Sequence, residues 1–535
     1  MIEDITLTSL KAPFSKWIVM DKGVHLMPEQ YTPYAKNIRI KNWTTTKRKW
    51  YTRVVDEWVY TETPTETETE TETETAEITD KYIDNMISDW TYLYALCDGK
   101  LFKADFNASR TMTQYTTSTF DSSVSLLRYR KYLFFLSENT AKWYAIDTST
   151  GTGSALTVSS SPYFRFWEVY KQNVYLAWGK DKSNILYKSR AGSLEHPEYI
   201  LDFNWDWSDD LYFKSKIMWL AAIREQLFVF TEDTIEIIQL QESWGIIAMY
   251  SIPIAWSNQP ANHKMVVKAD DVVFFWTKEN QMKSLNYMQW VTESVVWDIS
   301  HRPNLSIKDF TETLDEDQST SFWYYNRNEK TVHWHLRQKW EPLPNIVLVY
   351  DVTNDSFFID TNKYFSCAVE HQNKYYGGSA FSTIIYQDND WTTDDWVAIE
   401  RQRKSALLSV GSPDYRKEFR QVNIYWEKNT DVDIMVTVLV DGATAFNWII
   451  QASGESLSGT ASTELWGSQV AFDTQAWGLK PFEYVITRGN MRARGKNMQV
   501  IFNWTSSGDF CLSGMEIGYK DLYDNKWSDK AKPNK

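Results

Sequence analysis

The chain has 535 residues, a formal net charge of −14 and 16% aromatic residues. That length allows two to four domains with sizeable cores, and the aromatic content favours strands. The acidic balance excludes a general non-specific grip on nucleic acid, which needs a basic footprint.

The first 87 residues read as an extended N-terminal β region that mixes basic and aromatic side chains. It opens on "MIEDITLTSL", which has neither the basic nor the apolar region of a signal peptide. It ends in a Thr-Glu tract over residues 61–77 that holds seven glutamates, half of the net negative charge. Successive side chains of a strand point to opposite faces. A strand here would therefore carry Glu66, Glu68, Glu70, Glu72 and Glu74 on one face and threonines on the other. Upstream, Lys47, Lys49 and Arg53 share one parity and would form a basic strand face able to lie against those carboxylates. A solvated acidic linker is the alternative reading of the tract.

Over residues 88–400 one arrangement returns: a polar turn, a short aromatic-aliphatic strand, a second turn and another strand. "YRKYLFFL", "VYKQNVYLAW", "IREQLFVF", "KADDVVFFW", "NEKTVHWHL" and "HQNKYYGGS" anchor on Leu133, Val174, Leu227, Val273, Val332 and Tyr375, 41 to 59 residues apart. "YLYALCDGKLFKAD" is one more such unit upstream. This spacing predicts a degenerate β-propeller of five to seven blades. Asp98-Gly99 and Asp441-Gly442 are predicted hairpin turns. Residues 401–520 alternate more regularly between glycine- and aspartate-bearing turns. They predict an antiparallel β-sandwich that folds as its own domain, followed by a polar tail over 521–535. The fold class is all-β.

The chemistry-bearing motifs of common enzymes are absent: no glycine-rich phosphate loop, GxSxG or HExxH occurs. No cofactor or metal is expected, and no enzymatic activity. His333 and His335 would share a strand face as two metal ligands do, but no third ligand is apparent, so core packing is the preferred reading. Cys97, Cys367 and Cys511 are odd in number and far apart, which suits buried thiols of a protein made in the cytosol. Apolar runs are too short to span a bilayer; the longest, over 246–256, contains Ser251 and Pro253. The tryptophans of "FNWDWSDDLYF", Trp205 and Trp207, suggest an alternative carbohydrate-binding or carbohydrate-active propeller, although the Asp-box repeat of sialidases is missing. The basic clusters "TKRKW" and "RGNMRARGK" are expected at a solvated hairpin tip or an intersubunit salt-bridge patch.

Three stretches resemble the nozzle or hub propeller proteins of short-tailed double-stranded DNA phages. They are "GVHLMPEQYTPYAKNIRIKNWTTTKRKWYTR", "NILYKSRAGSLEHPEYI" with "IMWLAAIREQLFVFTEDTIEII", and "YRKEFRQVNIYWE" through "RARGKNMQVIFNWTSSGDFCLSGMEIGYK". The resemblance implies a structural protein of the virion tail, made in the host cytoplasm. It implies a ring, commonly a hexamer, that retains packaged DNA and opens for ejection. The implied partners are other copies, proteins on the portal and adaptor side, and tail fibres or spikes, with DNA passing unread. The acidic tract would then line the channel and repel the phosphate backbone. A receptor-binding tail component is a further alternative.

Overall fold

Short runs of β-branched and aromatic residues, broken by polar pairs, leave the backbone few alternatives to antiparallel hairpins. A computed structural model of the chain is built from them almost throughout. It describes residues 6–11, 34–36, 38–41, 44–47, 51–55, 57–59, 82–105, 111–120, 125–136, 144–149, 152–155, 166–171, 173–179, 182–190, 211–224, 226–243, 246–256, 260–286, 296–299, 301–302, 305–361, 363–388, 401–405, 408, 415–428, 433–450, 461–466, 484–505 and 510–522. Helix among the described residues amounts to single turns at His263–Met265 and Lys308–Thr311.

Seven antiparallel meanders follow one another from residue 83 to 388. Their first strands are Ile83–Ser88, Ser125–Tyr129, Phe166–Tyr170, Ile217–Ile223, Val266–Ala269, Phe322–Asn326 and Phe365–His371. Each packs beside the first strand of the next meander, and the seventh returns to the first. The chain is a closed β-propeller of seven blades, at the upper end of the expected range. All six predicted anchors lie on second strands and are at most 4% exposed. A second strand is paired on both edges and covered on both faces by neighbouring blades. It therefore reads as a continuous apolar run, as in the wholly buried Leu93–Cys97.

The turns between first and second strands pass through the left-handed region at Trp90, Arg130, Lys171, Arg224, Asp270, Lys330 and the Gln372–Asn373 pair, without glycine. The two predicted turns are left-handed at both residues, Asp98 with Gly99 and Asp441 with Gly442. At Gly99 an added Cβ would lie 2.4 Å from the Phe120 carbonyl oxygen, so only glycine fits.

Each blade-to-blade wedge has its own apolar core. Trp276 of blade 5 lies 5.9 Å from Trp334 of blade 6, and its indole N–H donates to Asn280 Oδ1 at 3.0 Å. Cys97 and Cys367 are buried in the core shared by blades 1 and 7, as expected. Burial pushes the Cys367 thiol up to about 12.

The N-terminal region is no separate unit. Its strands are distributed along the molecule as a strap. Tyr51–Val55 pairs with Ile385–Asp388 and is the fourth strand of blade 7, and Glu57–Val59 adds in parallel to Thr111–Thr119 of blade 1. One residue separates these two strands, so the strap bridges the seam where the ring closes. Upstream, Tyr34–Lys36 lies between Ser356–Thr361 of blade 6 and Arg401–Lys404 of the sandwich. Thr6–Lys11 pairs along Phe510–Leu522.

The sandwich follows the propeller. One sheet runs Thr6–Lys11, Phe510–Leu522, Arg416–Lys428, Tyr484–Gly495 and Ala461–Trp466. The other runs Arg401–Lys404, Met498–Trp504, Ile434–Val440 and Ala443–Ile450, and is continuous with blade 6 through Tyr34–Lys36. Phe419, Val422, Ile424, Val436, Val438, Val500, Phe502 and Ile517 close one core between them.

Candidate functional site

Three places bring charged and polar side chains together. The first is the inner ring of first strands. Glu168, on the first strand of blade 3, is 7% exposed, and its carboxylate accepts from Lys268 Nζ at 2.9 Å and from the Val169 N–H at 3.1 Å. Burial raises the carboxyl and the Lys268 ammonium opposes that rise. Lys268 belongs to blade 5, so the pair joins next-but-one blades past the inner strand of the blade between them.

The second place is the rim formed by the turns after the first strands. Gln372 Nε2 donates to the Trp90 carbonyl at 3.2 Å, and Arg128 reaches the Ser88 carbonyl at 3.3 Å. Arg224 grips Asp271 through two nitrogens, Tyr325 donates to Asp270 at 2.9 Å, and Asn328 donates to the Asn373 carbonyl at 2.9 Å. Ser88 Oγ and His371 Nδ1 are 2.8 Å apart, the separation of a nucleophile and its base. The Trp90 N–H donates to the same oxygen at 3.0 Å, and the imidazole is buried. That contact fastens blade 1 to blade 7.

The third place is the wedge between blades 6 and 7. Lys363 is 1% exposed, 2.7 Å from Asp388 and 3.7 Å from Asp360, which are themselves buried. Tyr324 donates to the same Asp388 and lies 3.0 Å from His333 Nδ1, and His333 Nε2 lies 2.9 Å from Thr331 Oγ1. Burial and the Asp388 charge hold the Tyr324 phenol far above its ordinary range. His335 stacks on Phe322 with centroids 4.4 Å apart and lies 5.5 Å from Phe365. The two histidines thus share a face and pack into the core, and no group of three metal-binding side chains occurs among the described residues.

Burial, with the Lys363 charge second, pushes His335 down to about 3. Its folded value is depressed, so the stability it contributes is complete above the ordinary pKa near 6.5 and is lost as pH falls toward 3. His335→Phe keeps the stacked ring and removes the proton site. Urea unfolding at pH 7 and pH 5 should show the wild type losing about 2 kcal/mol relative to this variant over that interval. Parallel pH profiles would refute the account.

The residues singled out in the sequence fall as follows. Glu66, Glu68, Glu70, Glu72, Glu74 and Lys49 lie outside the described residues, as do Trp205 and Trp207. Lys47 ends the strand Thr44–Lys47, paired with Ile38, whereas Arg53 sits in blade 7 opposite Tyr386. These two belong to different sheets, so a single basic strand face built on shared parity does not form. The "RGNMRARGK" cluster is no hairpin tip: it runs along the strand Tyr484–Gly495, and only Lys496 reaches the turn. The Lys363 network was missed. Its signal was a lysine and an aspartate inside the otherwise aromatic run "SFFIDTNKYF". A shallow cavity of about 300 Å³ on the sandwich is lined by Gln402, Asp433, Met435, Ile449 and Asn503, among others.

No family model and no curated protein matches the chain. Among solved structures it is similar to the extracellular domain of a putative hybrid two-component system from B. thetaiotaomicron, at 10% identity and a TM-score of 0.39. That match covers 70% of this chain, which spans 44% of the other's length. It is also similar to the Cps50 (Swd1) β-propeller domain of Myceliophteria thermophila, at 10% identity and a TM-score of 0.38, covering 59% of this chain and 98% of that one. Kluyveromyces lactis Hsv2 matches at 11% identity and a TM-score of 0.36, over 61% and 94% of the two chains. The propeller assignment rests on the strand order of the chain itself.

Proposed function

We propose that this protein is a structural component of a bacteriophage tail, a nozzle or hub subunit that assembles in a ring and is not an enzyme. The observation that carries the reading is the strap. Four segments of the first 59 residues join the sandwich, blade 6, blade 7 and blade 1 by strand pairing. Such stitching makes a stiff building block, which suits a part that transmits force more than one that turns over substrate. The ion pairs described above join one blade to another or lie within one wedge. The three stretches that resemble tail proteins supply the biological setting.

In this reading the DNA conduit lies at the centre of the ring of copies. The acidic balance of each copy keeps the phosphate backbone from adhering there. Electron microscopy of the parent particle with the protein tagged tests the proposal: density in a ring at the tail supports it. A chain that is monomeric under all conditions and absent from particles refutes it. A glycan array gives the rival reading its chance, and a sugar hit with no particle association would favour it.

A further inference from the structure

The outward face of the five-stranded sandwich sheet is basic, although the chain as a whole is acidic. On its central strands Arg420, Arg492, Arg494 and Lys520 stand against Glu418 and Glu516. The Glu418 carboxylate is buried beneath the arginines. It accepts from Arg420 Nε at 3.2 Å, Arg492 Nε at 3.1 Å, and Arg494 Nε and Nη2 at 3.3 Å each. Arg492 and Arg494 are nevertheless 79% and 65% exposed. One carboxylate thus fixes the inner edges of several guanidiniums and leaves outward edges turned to solvent. The rotamer entropy of a later contact is thereby reduced in advance.

We propose that this face docks an extended acidic segment with carboxylates on alternate residues, and that the segment is the Thr-Glu tract of a second copy. Arg492 and Arg494 are two residues apart on one strand, a repeat of about 7 Å. Glu66, Glu68, Glu70, Glu72 and Glu74 recur with the same two-residue period. An extended tract laid along the strand therefore meets a guanidinium at each matching carboxylate. Both ends of a copy's own tract lead into blade 1, whereas its sandwich is fastened to blade 6, which favours a neighbouring copy as donor. A nucleic-acid backbone fits less well. Non-specific affinity grows with the number of phosphates neutralised, this face offers few cations, and the chain's overall charge opposes it. The proposal names a contact between copies and stands whether or not the assembly belongs to a phage.

The test is sedimentation of the full-length protein at low and high salt. The wild type should self-associate at low salt and dissociate as salt rises. Reversing the face, Arg492→Glu with Arg494→Glu, should weaken association at least tenfold. So should reversing the tract by Glu→Lys at residues 66, 68, 70, 72 and 74. Combining both reversals in one chain should restore association, as should mixing the two single-site variants. The milder Arg492→Gln with Arg494→Gln should fall between, and thermal melts should confirm that each variant is folded. Association unchanged by either reversal overturns the proposal, as does a combined variant that fails to recover. Loss of single-stranded oligonucleotide binding in the face variant, with association intact, overturns it in favour of a nucleic-acid surface.

Discussion

A chain that starts at residue 60 is expected to lose the integrity of its propeller while its sandwich still folds. The truncation removes Tyr51–Val55 and Glu57–Val59, so blade 7 becomes a three-stranded sheet with a bare edge beside the seam. It also removes Tyr34–Lys36, the strand through which blade 6 and the sandwich share one sheet. An unpaired strand edge exposes backbone donors and acceptors and invites aggregation. The sandwich loses its edge strand Thr6–Lys11 and the Tyr34–Lys36 neighbour of Arg401–Lys404, but keeps the core around Phe419, Val436 and Phe502. Calorimetry should resolve two transitions where the intact chain has a coupled one, with the propeller transition lowered by roughly 10 °C or more. Limited proteolysis should cut first within blade 7. A truncated chain that melts as the full one does would show that the strap adds nothing.

Replacing Lys363 by Met is expected to be among the most destabilising single changes in the propeller. The ammonium lies against Asp388 and near Asp360 with essentially no solvent access. Removing it leaves two buried carboxylates without that cation, and breaking a buried pair from one side costs about 3–5 kcal/mol. The hydroxyl of Tyr324 still donates to Asp388 and offsets part of the loss. Replacing the partner as well, Lys363→Met with Asp388→Asn, removes one of the stranded charges and should recover much of the stability. Urea midpoints of the single and double variants measure this. A single variant within 1 kcal/mol of wild type, or a double variant no better than the single, would refute the assignment.

What the sequence determined by itself was the kind of architecture and its repeat. Strand alternation, two-residue turns and continuous apolar second strands are written in neighbouring residues. Leu133, Val174, Leu227, Val273, Val332 and Tyr375 could therefore be placed before any coordinates, and each lies buried on the second strand of a blade. Asp98-Gly99 and Asp441-Gly442 were legible for the same reason, since left-handed backbone has local chemical requirements. What only the tertiary structure decided was which distant segments meet. Arg53 lies opposite Tyr386 and Thr6 opposite Tyr519, pairings made through backbone groups that every residue carries, so no side-chain pattern announces them. Lys363, Asp360 and Asp388 look like surface charges in a linear reading. They become one buried cluster because the wedge between blades 6 and 7 closes over them. Likewise, Arg492 and Arg494 of "RGNMRARGK" acquire a shared carboxylate only when the strand Arg416–Lys428 is laid beside them, with Glu418 opposite Arg494. Local periodicity specifies each strand, but the partner across the sheet depends on loop closure and packing over hundreds of residues.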